Sequence, residues 1–213
     1  MNLQTERYYW KKGYKIIAGL DESGRGPLAG PVTATAVIIN PKFQIKNQTF
    51  KKILKDTRDS KKLSEKQREK IFKLIQKRPY IKFAHSSICS KTIDKINIEN
   101  ATKKAMKNCL NKILLKYNPK NILILIDGNR ILDKNLKISQ KAIVKGDDKI
   151  FSIALASIIA KVTRDKKMRK LSLQYPKYYF HQHKGYGTKL HRKLIKKYGP
   201  CKIHRQSYHP IKK

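Results

Sequence analysis

The sequence predicts an α/β domain built on a mixed β-sheet flanked by helices, with a C-terminal helical extension. Three observations carry that expectation. Apolar or β-branched segments of strand length alternate with segments of helical period. One run, "NILILID" (121–127), is continuously apolar, as in a strand buried on both faces. No internal repeat or low-complexity linker divides the 213 residues, a length that fits one large domain.

The elements follow in order. "KIIAGL" (15–20) is an apolar strand and "VTATAVII" (32–39) a β-branched one. "LSEKQREKIFKLIQ" (63–76) is a helix, with Ser64 and Gln67 at capping-box spacing. "YIKFAHSSI" (80–88) reads as a strand. In the helix expected over 97–117, Ala101, Ala105, Cys109, Leu110, Ile113 and Leu114 share one face. The strand 121–127 comes next, and "KAIVKGDD" (141–148) is a short strand ending in a turn. "IFSIALASIIAKVTRDKKM" (150–168) is a helix too apolar to be peripheral, and "KLHRKLIKKYG" is a last helix stopped by Gly199 and Pro200. Residues 1–213 are read as one domain, with 170–213 as its C-terminal elaboration.

Charge narrows the partner. With 51 Lys+Arg against 14 Asp+Glu, the formal net charge is +37. Such a field attracts polyanions, with affinity that falls steeply with salt, and points to nucleic acid. The bland alternative is a lysine-rich solvated surface. No stretch has signal-peptide character, and the longest apolar run is far too short to span a bilayer, so no membrane partner is expected. Cys89, Cys109 and Cys201 form no regular framework, which suits reduced thiols in a cytoplasm.

The acids are few enough to sort by context. Glu6, Asp56, Asp59, Glu65, Glu69, Asp94, Glu99 and Asp133 lie in polar neighbourhoods and are expected to be solvated, capping or ion-paired. Asp21 and Glu22 follow "IIAGL", Asp127 ends "ILILI", and Asp147 follows "AIVKG". Each stands at the C-terminal end of an apolar strand candidate, where α/β sheets build their sites. Asp148 and Asp165 are ambiguous, the latter because it can pair with Arg164. Taken singly, any of these is an ordinary turn residue. Taken together at neighbouring strand ends, they repel one another unless cations bind. A set of hard oxygen ligands suits Mg²⁺ or Mn²⁺. Two such ions about 4 Å apart activate a water and stabilise the leaving oxygen of a displacement at phosphorus. In "ESGRGPLAGP", Gly24 and Gly26 let the backbone approach a ligand closely, and Arg25 between them can hold a phosphate.

The segments "GLDESGRGPLAGPV", "DSKKLSEKQRE", "IDKINIENAT", "IDGN", "KGDDKIFSIALASIIAKVTRD", "YPKYYFHQHKGYGTKLH" and "GPCKIHRQSYHP" occur in this order between about residues 15 and 210. In this the sequence resembles bacterial ribonuclease HII. The resemblance implies a ribonuclease H-like fold and a cytoplasmic endonuclease. Such an enzyme cuts the RNA strand of RNA–DNA hybrids and single ribonucleotides embedded in duplex DNA, leaving 5′-phosphate and 3′-hydroxyl ends with Mg²⁺ or Mn²⁺. By motif, Asp21, Glu22, Asp127 and Asp147 match the metal-binding, catalytic acids. Gly24, Arg25 and Gly26 match the element that reads the 2′-hydroxyl at the RNA-to-DNA junction, Tyr186 matches the tyrosine that stacks on the sugar beyond the cut, and Lys61 matches a phosphate contact. The 2′-hydroxyl is the group that tells RNA from DNA at one position.

The sequence departs from that pattern at Ser23 and Leu155, each in place of an alanine, and Asp148 beside Asp147 leaves two candidates for one ligand, of which Asp147 is preferred. Leu155 adds volume in a tightly packed helix and calls for a smaller neighbour. The sister family ribonuclease HIII usually carries an extra N-terminal substrate-binding domain, for which the 20 residues before Asp21 leave no room. Other nucleases and integrases of the fold share the acids but not "GRG" with "KGYGT". A non-catalytic nucleic-acid-binding protein is disfavoured because acids in its groove repel phosphate. A zinc site of His181, His183, Cys201 and His204 matches no standard spacing. A monomer is expected from the resemblance, and a sliding clamp stays an open partner, since the tail "YHPIKK" carries no clamp-binding motif.

Overall fold

The computed structural model describes residues 1–41, 48–57, 60–115, 117 and 119–212; Asp59 lies outside the described residues. Five strands form a mixed sheet: β1 (Ile16–Ser23), β2 (Val32–Ile39), β3 (Ile81–Ile88), β4 (Ile122–Asp127) and β5 (Ser139–Ile143). Their spatial order is β3-β2-β1-β4-β5, so β1 and β4 lie inside the sheet. β2 is antiparallel to both β1 and β3, whereas β4 runs parallel to β1 and β5.

Side chains of a strand alternate between faces. Ala18, Leu20, Ile122, Ile124 and Ile126 therefore pack on one face with α4 (Ser90–Leu114). Ile17, Leu123 and Leu125 turn to the other, against Ile150 and Ile153 at the start of α6 (Phe151–Gln174). The run "ILILI" is buried on both sides, as its composition indicates. Gly19 lets β1 lie directly on α6, because a Cβ there would sit 2.4 Å from the Ser152 carbonyl carbon.

Several boundaries differ from the sequence reading. β1 continues through Asp21 and Glu22 to Ser23, so the acidic pair lies within the strand. α4 begins at Ser90 and ends at Leu114, with a break at Asn97 (φ 62°) whose Oδ1 accepts from the Asn100 amide at 3.0 Å. The expected start at 97 is thus a real cap inside a longer helical segment. α6 extends beyond 168 to Gln174. Asp147 is not at a strand end: β5 stops at Ile143, and the acid stands on the single turn α5 (Gly146–Lys149). Among the described residues, α1 (Gln4–Lys11), α2 (Gln48–Asp56) and the single turn over Phe180–His183 were not anticipated as helices.

α3 (Glu65–Gln76) starts at the Ser64–Gln67 capping box. Leu155 is fully buried among Val37, Phe50 and Phe151, away from the Gly19 contact. Residues beyond α6 form a 3-10 turn (Pro176–Tyr178), α7 (Phe180–His183) and α8 (Lys189–Tyr198), whose Tyr178, Phe180 and Leu194 cluster with Ala29 and Met168. The elaboration is therefore docked on the loop that follows β1. Among the described residues no helix is long and apolar enough to cross a membrane.

Gly19→Ala is expected to lower unfolding free energy by about 1–3 kcal/mol through overpacking between β1 and α6. Urea denaturation measures this, and an unchanged midpoint would show that the two elements separate without cost.

Candidate metal and substrate site

Leu20 and Ile126 are register partners on parallel β1 and β4, so Asp21 and Asp127 follow as neighbours one step on, facing α6. Asp147 reaches them from α5. Carboxylate oxygens of these three lie within 4.8 Å of one another. Asp21 and Asp147 are buried. The Glu22 amide donates to Asp21 Oδ1 at 2.6 Å, and the Gly146 amide donates to Asp127 Oδ1 at 2.7 Å. Burial drives the Asp21 carboxyl well above its ordinary range, and the nearby charges of Glu22 and Asp127 push the same way against a hydrogen bond from Ser157.

Glu22 points to the opposite face and lies outside the trio. Burial raises its carboxyl too, opposed by Arg25, whose guanidinium is 3.7 Å away, and reinforced by Asp127. Lys61 Nζ is 3.8 Å from Asp147 Oδ2, with most of its side chain exposed. Asp148 turns outward to Lys62 at 2.6 Å, which pulls its carboxyl below the usual value. Asp147, not Asp148, joins the cluster. A buried, oxygen-only donor set whose members repel one another fits a hard divalent cation.

The loop after β1 faces inward through its carbonyls. Arg205 donates to Gly24 O at 2.6 Å, Arg25 O at 2.7 Å and Gly30 O at 3.0 Å, and Arg164 donates to Pro31 O at 2.9 Å and Ala29 O at 3.2 Å. Gly24 has φ +98°, and a Cβ on it would lie 2.1 Å from Arg164 Nε. Gly26 differs, since no atom lies within 4 Å of its would-be Cβ. Packing does not require that glycine. Tyr186 is partly exposed, with the Arg164 guanidinium 5.6 Å from its ring centre and Lys161 Nζ at 5.5 Å. Its loop is tied to the first by the Leu28 amide, which donates to Gly185 O at 2.8 Å.

Other acids resolve as well. Asp165 pairs with Lys161 at 3.0 Å instead of with Arg164. Glu6 is buried rather than solvated and accepts from the Ser152 amide at 2.8 Å, capping α6 across the chain. The histidines of the tail mostly face one another. His183 and His191 stack at 4.2 Å, His191 Nε2 meets His204 Nε2 at 3.0 Å, and His181 turns to Ser172. Arg164, Arg205 and Ser157 were missed by the sequence reading. The available signal was an arginine on the buried face of the apolar stretch "ASIIAKVTR".

Comparison with known proteins gives concordant results. The sequence profile described as Ribonuclease HII matches residues 18–211. The ribonuclease HII of Caldicellulosiruptor saccharolyticus is 48% identical over 96% of this chain and 92% of that protein. Ribonuclease H2 from Pyrococcus horikoshii shares the fold with a TM-score of 0.71 and 26% identity, over 92% of this chain and 95% of that one. Ribonuclease HII from Archaeoglobus fulgidus, solved as a complex with PCNA, also matches in fold with a TM-score of 0.71 and 22% identity, over 91% of this chain and 95% of that one.

The raised carboxyls of Asp21 and Glu22 set a sign for the metal-free protein. Folded, these two hold protons that the unfolded chain has released, so their contribution to stability falls as pH rises above the ordinary carboxylate range of about 4. Added Mn²⁺ is expected to raise Tm more at pH 8 than at pH 5, and Asp21→Asn to remove that difference. Equal shifts at both pH values, read by thermal unfolding, would place the metal elsewhere.

Proposed function

The chain belongs to the ribonuclease HII family, and on that premise we propose that it is an endonuclease of RNA–DNA hybrids and of single ribonucleotides in duplex DNA. Ribonuclease H activity, a phosphodiester hydrolysis, is supported at the level of the family and its structural neighbours. The cut falls on the 5′ side of the ribonucleotide and leaves 5′-phosphate and 3′-hydroxyl ends. The single observation carrying this reading is the convergence of Asp21, Asp127 and Asp147 beside two loops suited to a nucleic-acid strand.

Asp21, Asp127 and Asp147 would hold the cation, Mg²⁺ or Mn²⁺, with Glu22 as a further acid of the set on the opposite face of β1. The chemistry supplied there by a bound pair of such ions would be activation of water and charge neutralisation at the leaving oxygen of an in-line displacement. The protein's own groups position the strand. A cleft of about 280 Å³ beside Glu22 and Asp127 is lined by Arg25, Lys103 and Arg130, cations placed to meet phosphates. Lys61 stands on the Asp147 side of the same centre. Gly26, open to solvent, admits the sugar edge where a side chain would block it. Tyr186 offers its exposed ring as a platform for the next sugar.

We take residues 1–213 as one nuclease unit, with 170–213 contacting substrate, acting in a bacterial cytoplasm and as a monomer. The net charge of +37 favours a polyanionic partner. No clamp is assigned to this chain.

A labelled DNA duplex with one ribonucleotide, incubated with Mg²⁺, Mn²⁺ or chelator, tests the reading. A metal-dependent cut on the 5′ side is expected, and binding without cutting would make this a binding protein only. Asp127→Asn is expected to abolish cleavage while low-salt duplex binding persists; equal loss of binding would remove its metal role. Gly26→Ala is expected to slow cleavage with Tm nearly unchanged, because the position is open.

A further inference from the structure

Two arginines are fully buried, yet neither forms an ion pair among the described residues. Arg164 and Arg205 are both 0% exposed. Charged side chains are almost never buried without a charged partner. Here the partners are backbone carbonyls. The Arg205 fork spans Gly24, Arg25 and Gly30, and Tyr208 Oη adds a bond to Arg25 O at 2.7 Å. Arg164 holds Ala29 and Pro31 while its guanidinium faces the Tyr186 ring. One of its nitrogens, Nη1, has no hydrogen-bond partner among the described residues. Desolvation lowers both guanidiniums from their ordinary value, Arg164 to about 10.

We propose that Arg164 and Arg205 are positioning residues that lock the Gly24, Arg25 and Gly26 backbone to Tyr186, and thereby set the preference for a ribonucleotide over a deoxyribonucleotide. This rests on the reading of those two elements given above. A loop of glycines is conformationally free by itself. Reading one hydroxyl requires its amides to be fixed to a fraction of an ångström. Only a planar guanidinium presents several donors at fixed angles to three carbonyls at once. The loop adapts to the arginines in turn, since Gly24 has room for no side chain beside Arg164. Arg164 carries the constraint onward, because the same side chain bonds the first loop and meets the ring of the second.

A purely structural role predicts lost stability with the preference intact; the positioning role predicts a lost preference. The experiment compares wild type, Arg205→Lys, Arg164→Lys and Tyr208→Phe. It measures kcat and KM on a duplex with one ribonucleotide, Ki of the same duplex in all-DNA form, and the Tm shift with Mn²⁺. In the lysine variants the ratio of Ki to KM is expected to fall about ten-fold or more, with Ki and the Mn²⁺ shift kept. Tyr208→Phe deletes one neutral bond at a partly exposed position, so a fall of about five-fold is expected there without unfolding. If the lysine variants do not fold, Tyr208→Phe decides. A ratio unchanged in every folded variant overturns the positioning role. A wild type that does not distinguish the two duplexes overturns instead the reading of the loops on which it rests.

Discussion

Crowding of like charge governs the open end of the sheet. Carboxylates of Asp21, Asp127 and Asp147 approach within 4.8 Å. At an effective dielectric of about 20, each such pair of full charges costs about 3 kcal/mol, a large share of a typical margin of 5–15 kcal/mol. A proton or a cation must relieve it, and meanwhile the scaffold must not yield. The supports are visible: parallel register between β1 and β4, the close seat of Gly19 on α6, and amides of Glu22 and Gly146 turned onto the acids. Glu6 strengthens the same frame by capping the start of α6 from α1.

α6 also joins chemistry to recognition. Ser157, Lys161, Arg164 and Met168 follow one another at helical spacing along one side of it. In order they meet Asp21, the Tyr186 ring, the loop after β1 together with that ring, and the tail cluster. A shift of this helix would move the acidic cluster and the loops proposed to contact substrate together. The buried residues of the helix from Ile153 to Ala160 are apolar except Ser157, and Leu155 packs in the cluster that holds Val37 and Ile39 of β2, off that stripe.

The sequence disclosed the parts whose signal is local. Apolar and β-branched runs marked β1, β2 and β4, which are buried, whereas β3 and β5 are largely half-exposed and β5 runs over Ser139–Ile143 instead of starting at 141. The acids stood out because the chain has only 14 of them. α1 and α2 escaped because their apolar residues are sparse and packing against the core stabilises them. Asp147 was located correctly relative to the site but on the wrong element, since one helical turn after a short strand leaves no periodic trace. Asp165 and Arg164 are adjacent and opposite in charge, which suggested a pair. The fold instead gives Arg164 to carbonyls more than 130 residues away and Asp165 to Lys161. Long-range hydrogen bonds of that kind have no signature in composition or period.

Net charge and site chemistry pull a polyanion in different directions. The field of a +37 chain draws any nucleic acid, irrespective of sugar, whereas the acidic pit repels the phosphate that must enter it. Long-range attraction therefore carries no information about RNA or DNA. Discrimination has to come from short contacts that are neutral or backbone in character, and these require rigidity rather than charge. The two kinds of arginine divide along that line. Arg25 and Arg130 are exposed beside the cleft, paired with Glu22 and Glu99, and are the charges proposed to meet phosphate. Arg164 and Arg205 are fully buried, where charge is spent on shaping the chain. Removing an exposed one alters how tightly any duplex is held. If Arg164 and Arg205 position the loops as proposed, removing one alters which duplex is preferred, because each holds backbone carbonyls of the loop after β1.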